Sequence, residues 1–335
     1  SEKDEEYKKL FFGQNENNGK LEKEVAERVF GNAVAVSPSR FDTYSRCHFK
    51  FFARYILGLR PEVRAELDLI QTGIISHKIL ELFVSELAER KKSGGFMNEA
   101  EAEERILSLL SEHYAVITHT VPDTGADDGI SARFRYMYRR LSRTLVPFAR
   151  SLTAEFSQSD FVPEGFEVNI GADGAIRSLP IAVPDFENAF FSVRGQIDRI
   201  DTYRKDGKTY VRIIDYKTGH KVFSKEEIDY GMNLQMLLYL YCLQNGSQNP
   251  YGNHLVPSGV LYIPLTLSGN TAENWYDTAA SVSSFPFRGN GLLIDDRDVI
   301  TAMEKVPEGK FIPVKLKKDG SFDSRSKVCS LEEME

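Results

Sequence analysis

Cysteine is scarce in this chain. Cys47, Cys242 and Cys329 are its three cysteines, and they lie far apart with no CxxC pair. They are too few and too scattered for a disulfide framework or a structural zinc site. We therefore predict a reducing, cytoplasmic setting.

Long hydrophobic runs are also missing. No apolar stretch approaches the roughly 20 residues that span a bilayer, and the first ten residues, SEKDEEYKKL, are charged where a signal peptide is apolar. We therefore expect a soluble, unexported protein with no membrane partner. The chain begins without Met and stops on the charged run SLEEME, so we also expect it to be a fragment of a longer protein.

The chain lacks an excess of positive charge. It contains 42 Lys and Arg residues and 49 Asp and Glu residues, which gives a formal net charge of -7. Such a surface repels nucleic acid as a whole, so DNA binding would need a local basic patch or a metal ion.

The apolar pattern changes along the chain. Residues 1–35 are predicted to be a linker with a short helix, and residues 36–335 one domain, helical over 36–160 and sheet-containing over 161–335. Long helices are expected at about 66–90, 98–117 and 130–157, after an aromatic helix pair that starts near Ser37. Short β-branched runs then predict a mostly antiparallel sheet crossed by one helix from Ser224 to Asn245, which together make a mixed α/β or α+β fold.

Two aspartates lie on strands that the pattern predicts to be neighbours. In VRGQIDRIDTYRKDGKTYVRIIDYKTG, an Asp-Gly turn separates the strand of Asp198 from that of Asp215. Strand side chains alternate, so Asp215 and Lys217 share one face. Carboxylates among isoleucines need a counter-charge, and oxygen ligands suit Mg²⁺. This predicts metal-assisted phosphodiester hydrolysis, with Lys217 positioning water or balancing charge on the phosphoryl oxygens.

A surface hairpin with a cross-strand Asp–Lys pair would show the same spacing. The D-x-K pattern by itself favours that structural interpretation, so the choice depends on the rest of the chain.

Several further motifs follow in order: SPSRFDTYSRCHFKFF, TGIISHKILE, GQIDRID, IDYKTG and GMNLQMLLYLY. With them the chain resembles the nuclease domain of RecB-family PD-(D/E)xK enzymes. More narrowly, it is similar to the C-terminal nuclease domain of the B subunit of AddAB-type helicase-nucleases, including the late segments GLLIDDRDVITAME and KLKKDGSFDSRS. The likeness covers most of residues 36–335. It implies a restriction-endonuclease-like core, with a central mixed sheet flanked by helices and an extended helical region before it.

The resemblance also implies roles for individual residues. Asp198 and Asp215 would bind the metal ion, and Lys217 would be the catalytic lysine. His77 and the backbone carbonyl of Tyr216 would complete the set of ligands. The implied cofactor is Mg²⁺, with Mn²⁺ as an alternative.

Two glutamates are candidate accessory acids. His77 and Glu81 lie at i and i+4 on one helix face, which predicts a polar pair that points inward. A lone histidine is more often a core or surface residue, and here the resemblance reverses that preference. By the same resemblance, Glu167 would be the acidic residue that the family places on an earlier core strand.

Gln235 and Tyr239 also lie at i and i+4, on the helix after the D-x-K strand. Packing against the sheet would explain them, whereas the resemblance makes them a pair that contacts the DNA backbone or holds Lys217. Arg40 and Tyr44 are candidate DNA contacts, although a salt bridge and a core tyrosine explain them equally well.

Three arginines, Arg135, Arg139 and Arg143, line up on one predicted helix face. Phosphate tracking, a solvated face and a contact with a partner protein are equally compatible with this stripe.

An iron-sulfur cluster is typical of the B subunits that the chain resembles. Cys47 matches the first of the four expected ligands, and the other three have no counterpart. We therefore expect no complete cluster in this chain: either it is a truncated piece of a protein that carries the cluster, or this lineage has lost the cluster.

The function implied is a Mg²⁺-dependent DNA exonuclease that acts on single strands during helicase-coupled double-strand-break processing and recombinational repair. DNA and an AddA-like motor subunit would be its partners. The alternatives are a non-catalytic DNA-end-binding or scaffold module and a self-standing PD-(D/E)xK nuclease.

Overall fold

The computed structural model describes residues 22–31, 33–60, 69–118, 132–183, 189–219, 221, 223–246, 249–252, 254–265 and 287–334. It contains two compact units. The smaller comprises Ser1–Ala35 and Pro180–Ser192, and the larger comprises Val36–Leu179 and Val193–Glu335. Every residue of the candidate site described below belongs to the larger unit.

The described helices occur in two groups, before and within the sheet region. They are α1 (Lys23–Phe30), α2 (Pro38–Arg46), α3 (His48–Phe51, continued by a π-helical turn over Phe52–Ile56), α4 (Leu69–Lys92), α5 (Glu99–Thr118), α6 (Ala132–Gln158), α7 (Lys225–Asp229), α8 (Gln235–Asn245), α9 (Arg297–Met303) and α10 (Leu331–Met334). None of these helices is long and apolar enough to cross a membrane.

The described strands form one sheet in each unit. They are β1 (Ala33–Val36), β2 (Val162–Gly171), β3 (Ile176–Arg177), β4 (Pro180–Ala182), β5 (Phe190–Val193), β6 (Gly195–Lys205), β7 (Lys208–Lys217), β8 (Leu255–Pro264), β9 (Asn290–Ile294) and β10 (Val328–Cys329). The three-stranded sheet has the order β1-β5-β4, with β4 and β5 antiparallel.

The main sheet has seven strands in the order β10-β9-β8-β7-β6-β2-β3. The β2–β6, β6–β7 and β8–β9 pairs are antiparallel, whereas β7–β8, β9–β10 and β2–β3 are parallel. The mixed α/β architecture predicted from the sequence is therefore confirmed. The central β7–β8 pair is parallel, and the connection that contains α7 and α8 returns the chain to the end of the sheet at which β7 begins, as a parallel pair requires.

The long helices bury one apolar stripe each, as their periodicity predicts. On α4, the buried residues Ile79, Leu80, Phe83, Val84 and Leu87 recur at three- and four-residue spacing. The helix ends at Lys92, followed by Gly94 in the left-handed region with φ 79°. The predicted start near residue 66 lies outside the described residues, as does the start of the third predicted helix near residue 130.

The single helix predicted from Ser224 to Asn245 is wrong in one respect. Ser224 does cap a helix, because its hydroxyl accepts from the Glu227 amide at 3.3 Å, but that helix is only five residues long. The chain then breaks at Gly231 (φ 70°) and Asn233 (φ 59°), both left-handed, before α8 begins at Gln235. Gln235 consequently lies in the first turn of a separate helix.

A buried group of charges lies on one face of the β6–β7 hairpin. We name Arg199, Asp201, Arg212 and Glu155 the core charge cluster. Arg199 donates to both oxygens of Asp201 at 2.8 Å, and Arg212 donates to Asp201 at 2.8 Å and to Glu155 at 2.6 Å. Arg199 also donates to the Tyr216 hydroxyl at 2.9 Å. Two positive and two negative side chains thus balance each other among residues that are almost fully buried.

Candidate metal centre and active site

The hairpin that carries the predicted aspartates turns tightly at its far end. Asp206 (φ 52°) and Gly207 (φ 75°) are both left-handed, as a two-residue type I′ turn requires. The register of β6 and β7 runs from Lys205↔Lys208 to Arg199↔Ile214. Beyond that pair, the Tyr216 amide donates to Oδ2 of Asp198 at 2.7 Å. The Asp198 carboxylate therefore lies at the open end of the hairpin, beside the D-x-K segment.

Asp215 and Lys217 converge as strand alternation predicts. The Lys217 ammonium lies 2.5 Å from Oδ2 of Asp215, on the face of β7 opposite to Arg212. Asp215 is 3% exposed, and its Oδ2 has no hydrogen bond of good geometry despite this ionic contact. Burial and the nearby Asp198 carboxylate raise the pKa of Asp215 to about 6, against the opposing effects of Lys217 and His77.

Three side chains from three elements form a group of metal-ligand type. Nδ1 of His77 on α4 lies 3.3 Å from Oδ2 of Asp198 on β6 and 3.7 Å from Oε1 of Glu167 on β2. One ligand atom from each of the three residues lies within 4.8 Å of the others. We name Glu167, Asp198, Asp215, His77 and Lys217 the acidic cluster.

His77 is strongly affected by its neighbours. Burial lowers the pKa of its imidazole, but the hydrogen bonds and charges of Asp198 and Glu167 outweigh burial and raise the pKa to about 10. The imidazole therefore carries a proton when only the carboxylates surround it. A metal-bound histidine is neutral, so a cation at this place would displace that proton.

Glu167 reaches the cluster through an unusual backbone conformation. Its φ of 47° is left-handed, which is rare for a side chain of this size. In β2 it lies between Phe166 and Val168, which pair with Arg199 and Ile197, so it is opposite Asp198. Local strain is typical of functional sites, and here it accompanies a carboxylate that faces His77.

The acids that contact His77 are Glu167 and Asp198, and Glu81 is not among its described contacts, so a role for Glu81 as an accessory acid stays a prediction. Glu81 instead accepts from the Lys78 ammonium at 2.7 Å, and it is absent from the group of ligand type among the described residues. The i, i+4 spacing places both side chains on one side of α4, but the nearest acids to His77 come from β2 and β6.

The structure brings Gln235 to the acidic cluster by a contact with Asp215. Its amide donates to Oδ1 of Asp215 at 2.8 Å, so it contacts the acid of the D-x-K pair rather than Lys217. The buried Tyr239 lies against Gly195, where a Cβ would overlap its hydroxyl. Burial raises the pKa of Tyr239 to about 12, while hydrogen bonds with the Gln196 backbone and the Gln235 side chain act in the opposite direction.

The other predicted contacts belong to the larger unit and have no described contact with the acidic cluster. The Arg40 guanidinium lies 4.8 Å from the centre of the Tyr55 ring, and Tyr44 is half exposed and stacks on His48 at 4.4 Å. The three arginines of the stripe are exposed on α6: Arg135, Arg139 and Arg143. Cys47 is exposed, and its Sγ accepts from the Lys50 amide at 3.4 Å.

Sequence patterns did not indicate Lys221 and Tyr262, which lie next to the acidic cluster. The ammonium groups of Lys221 and Lys217 lie 4.7 Å and 5.8 Å from the centre of the same Tyr262 ring. Burial and the charge of Lys217 lower the pKa of Lys221, against the effects of Asp42, Asp215 and Glu227. The only sequence signal for Lys221 is its position four residues after Lys217. The ring itself comes from β8 by long-range strand pairing.

Known proteins are similar in sequence to this chain over nearly all of its length. One from Clostridium acetobutylicum, named as the B subunit of an ATP-dependent helicase/deoxyribonuclease, is 28% identical over 322 residues, which are 94% of this chain and 27% of that protein. Proteins of the same name from Moorella thermoacetica and Geobacillus kaustophilus are each 28% identical, over 94% and 92% of this chain. The chain spans about a quarter of the length of these relatives.

A family model extends the likeness over most of the larger unit. It describes the PD-(D/E)XK nuclease superfamily and matches residues 35–313, which include the described acids of the β6–β7 hairpin, Glu167 and His77. With that match over most of its length, the chain belongs to the PD-(D/E)XK nuclease superfamily.

Proposed function

We propose that this chain is a metal-dependent DNA exonuclease module that hydrolyses phosphodiester bonds of single-stranded DNA. One observation carries the proposal. Three carboxylates, an imidazole and a lysine from four separate elements meet at the open end of one hairpin. A surface hairpin with a cross-strand Asp–Lys pair does not explain why two further acids and a histidine lie at the same place.

The residues fit a hard divalent cation. His77, Glu167 and Asp198 would hold it, with Asp215 and the Tyr216 carbonyl as further ligands. The donors are mainly oxygens, as Mg²⁺ and Mn²⁺ prefer, and the buried Oδ2 of Asp215 has no hydrogen bond of good geometry. When bound, the cation supplies Lewis-acid polarisation of the phosphodiester and a water more acidic than bulk water.

Lys217 supplies positive charge where the reaction needs it. Its ammonium group lies beside Asp215 at 2.5 Å, so it would orient the attacking water or stabilise negative charge that develops on the phosphoryl oxygens. Its neighbour Gln235 holds the other oxygen of Asp215 at 2.8 Å. We propose Gln235 and Tyr239 as positioning residues that keep Asp215 and the start of β6 in place.

The biological setting follows from the relatives. Their names join a deoxyribonuclease with an ATP-dependent helicase. We propose that this chain is the nuclease part of such a B subunit and cuts strands delivered by an AddA-like motor subunit in the cytoplasm, during double-strand-break processing and repair. The predicted DNA contacts of Arg40, Tyr44 and the α6 arginines belong to this proposal.

Matched substitutions at the two ends of the hairpin test the proposal. Asp215→Asn and Lys217→Met alter the acidic cluster, whereas Asp206→Asn and Lys208→Met make the same chemical changes at the turn, where Asn-Gly is equally suitable. We expect Mg²⁺-dependent cleavage of an end-labelled single strand to fall by about 100-fold or more in the first two variants and to persist in the controls.

Two outcomes would contradict the proposal. Cleavage retained in Asp215→Asn would exclude the metal mechanism. A wild-type chain that binds DNA equally well with and without divalent cations, and never cuts it, would favour the DNA-end-binding scaffold instead.

A further inference from the structure

Lys221 lies beside the acidic cluster without belonging to it. It follows Lys217 by four residues, just beyond the end of β7. Its ammonium lies 4.7 Å from the centre of the Tyr262 ring, and that of Lys217 lies 5.8 Å from the same centre. Two ammonium groups therefore lie near the same aromatic ring. Lys217 is the lysine of the D-x-K motif, whereas Lys221 lies outside that motif.

The ring that supports Lys221 is firmly held. Tyr262 is 1% exposed and pairs with Asp215 in the parallel β7–β8 register. Its hydroxyl donates to Oδ1 of Asn233 at 3.1 Å, and the Asn233 amide donates to Asp42 on α2 at 2.8 Å. Lys221 therefore rests on a buried side chain that is in register with the acidic cluster.

Lys221 has no direct anionic partner in the acidic cluster. Lys217 contacts Asp215, whereas Lys221 forms no ion pair with any carboxylate of the described residues. A divalent cation together with Lys217 would neutralise Glu167, Asp198 and Asp215, provided that His77 is neutral. Asp42 and Glu227 act on Lys221 only through their charge at longer range, so its half-buried ammonium has no direct anionic contact among the described residues. Such a group costs free energy unless it meets a negative group.

We infer that Lys221 binds a phosphodiester group of the DNA backbone beside the acidic cluster, as a substrate contact separate from the D-x-K lysine. This inference rests on the proposed nuclease function and names how the same site holds its substrate. A phosphodiester carries a negative charge that could contact this ammonium directly. An ammonium is a compact donor that suits one such oxygen.

Substitution of Lys221 by Met tests the inference with little disturbance of Tyr262. The methionine side chain keeps an apolar stem over the ring and removes only the charge. The variants Lys221→Arg and Lys208→Met serve as the charge-conserving variant and the distant control. Binding of a fluorescent single-stranded oligonucleotide would be measured with Ca²⁺ over a range of salt concentrations, and cleavage with Mg²⁺ would give KM and kcat.

We expect Lys221→Met to raise Kd and KM several-fold and to reduce the salt slope of log K by roughly 0.7, as for the loss of one phosphate contact on a single strand. The Lys221→Arg variant should restore most of the salt slope, and Lys208→Met should match the wild type. Calcium affinity measured without DNA should be the same in all four proteins, which a merely structural role for Lys221 would not predict.

The outcomes separate this inference from the proposed function. If the wild type cuts DNA and Lys221→Met shows an unchanged salt slope and KM, the inference fails alone. If Lys221→Met loses Ca²⁺ affinity in parallel with DNA affinity, Lys221 acts on the cluster and the inference also fails. A wild type that neither binds nor cuts DNA overturns the proposed function and the inference together.

Discussion

Two groups of charges meet at the β6–β7 hairpin, and they differ in burial and in charge balance. The core charge cluster lies on one face, where two arginines meet an aspartate and a glutamate, and all four residues are at most 6% exposed. The acidic cluster lies at the open end, where three carboxylates meet one lysine and one histidine. The His77 side chain there is 26% exposed and that of Glu167 is 22% exposed.

The difference shows what each cluster needs. In the core charge cluster the protein supplies every counter-charge, and both oxygens of Asp201 accept from arginines. The acidic cluster has more negative groups than the protein neutralises, and its histidine takes up a proton in response. A cluster whose charges balance needs no ligand, whereas a cluster with excess negative charge is suited to bind a cation.

The largest effect on stability should come from the core charge cluster. Asp201→Asn leaves two buried arginines without their shared anion, so we expect the free energy of unfolding to fall by about 3–5 kcal/mol in urea denaturation. The matched variant Asp215→Asn should not lower stability, because burial already disfavours the charge of Asp215. Equal losses in both variants would remove the distinction between the clusters.

The same cluster predicts sensitivity to acid. Arginines Arg199 and Arg212 outweigh the effect of burial and hold the pKa of Asp201 below its usual value. The stability that ionised Asp201 contributes is therefore fully present above the pKa of about 3.9 that Asp has in the unfolded chain. It is lost as the pH falls through the lower pKa of Asp201 in the folded protein. Urea denaturation at pH 7 and at pH 3 should show a smaller difference in Asp201→Asn than in the wild type.

A smaller effect concerns the pH dependence of metal binding at the acidic cluster. Below its raised pKa of about 10, His77 must release one proton to become a ligand. We expect Ca²⁺ affinity to rise about tenfold per pH unit between pH 7 and 9, which is about 1.4 kcal/mol per unit. Calorimetric titration of His77→Gln should show an affinity that is nearly independent of pH in this window. A wild-type affinity that does not change with pH would exclude His77 as a ligand.

The smallest effect concerns the backbone of Glu167. Asparagine tolerates the left-handed conformation better, so Glu167→Asn should raise the stability of the metal-free chain by roughly 0.5–1 kcal/mol. The same change should weaken metal binding, while Glu81→Gln should leave metal affinity unaltered because Glu81 faces Lys78. A Glu81 variant with the greater loss of metal affinity would reverse the assignment of the two glutamates.

Local patterns predicted the elements that depend on local sequence. The helices over Leu69–Lys92 and Glu99–Thr118 have long apolar stripes, and the Asp206-Gly207 turn has a distinct backbone requirement, so the sequence indicated all three. The convergence of Asp215 with Lys217 followed from strand alternation alone.

Features that depend on long-range pairing were harder to predict. Proximity of Glu167 to His77 depends on the register of β2 with β6, and helix spacing pointed to Glu81 instead. The break before α8 was missed because apolar residues continue through the turn at Gly231 and Asn233. The contact of Tyr262 with Lys221 depends on the parallel β7–β8 pair. In that pair Asp215 lies opposite Tyr262, which is 47 residues later in the chain.

Titration of Mn²⁺ followed calorimetrically, in wild type, Asp198→Asn and Asp206→Asn, tests most directly whether the acidic cluster is a cation site. Asparagine at position 198 can still accept from the Tyr216 amide, so the change removes charge with little loss of structure. We predict one tightly bound ion per chain in the wild type and in Asp206→Asn, with at least about tenfold weaker binding in Asp198→Asn. Equal affinity in all three proteins, or no binding in the wild type, would contradict the account.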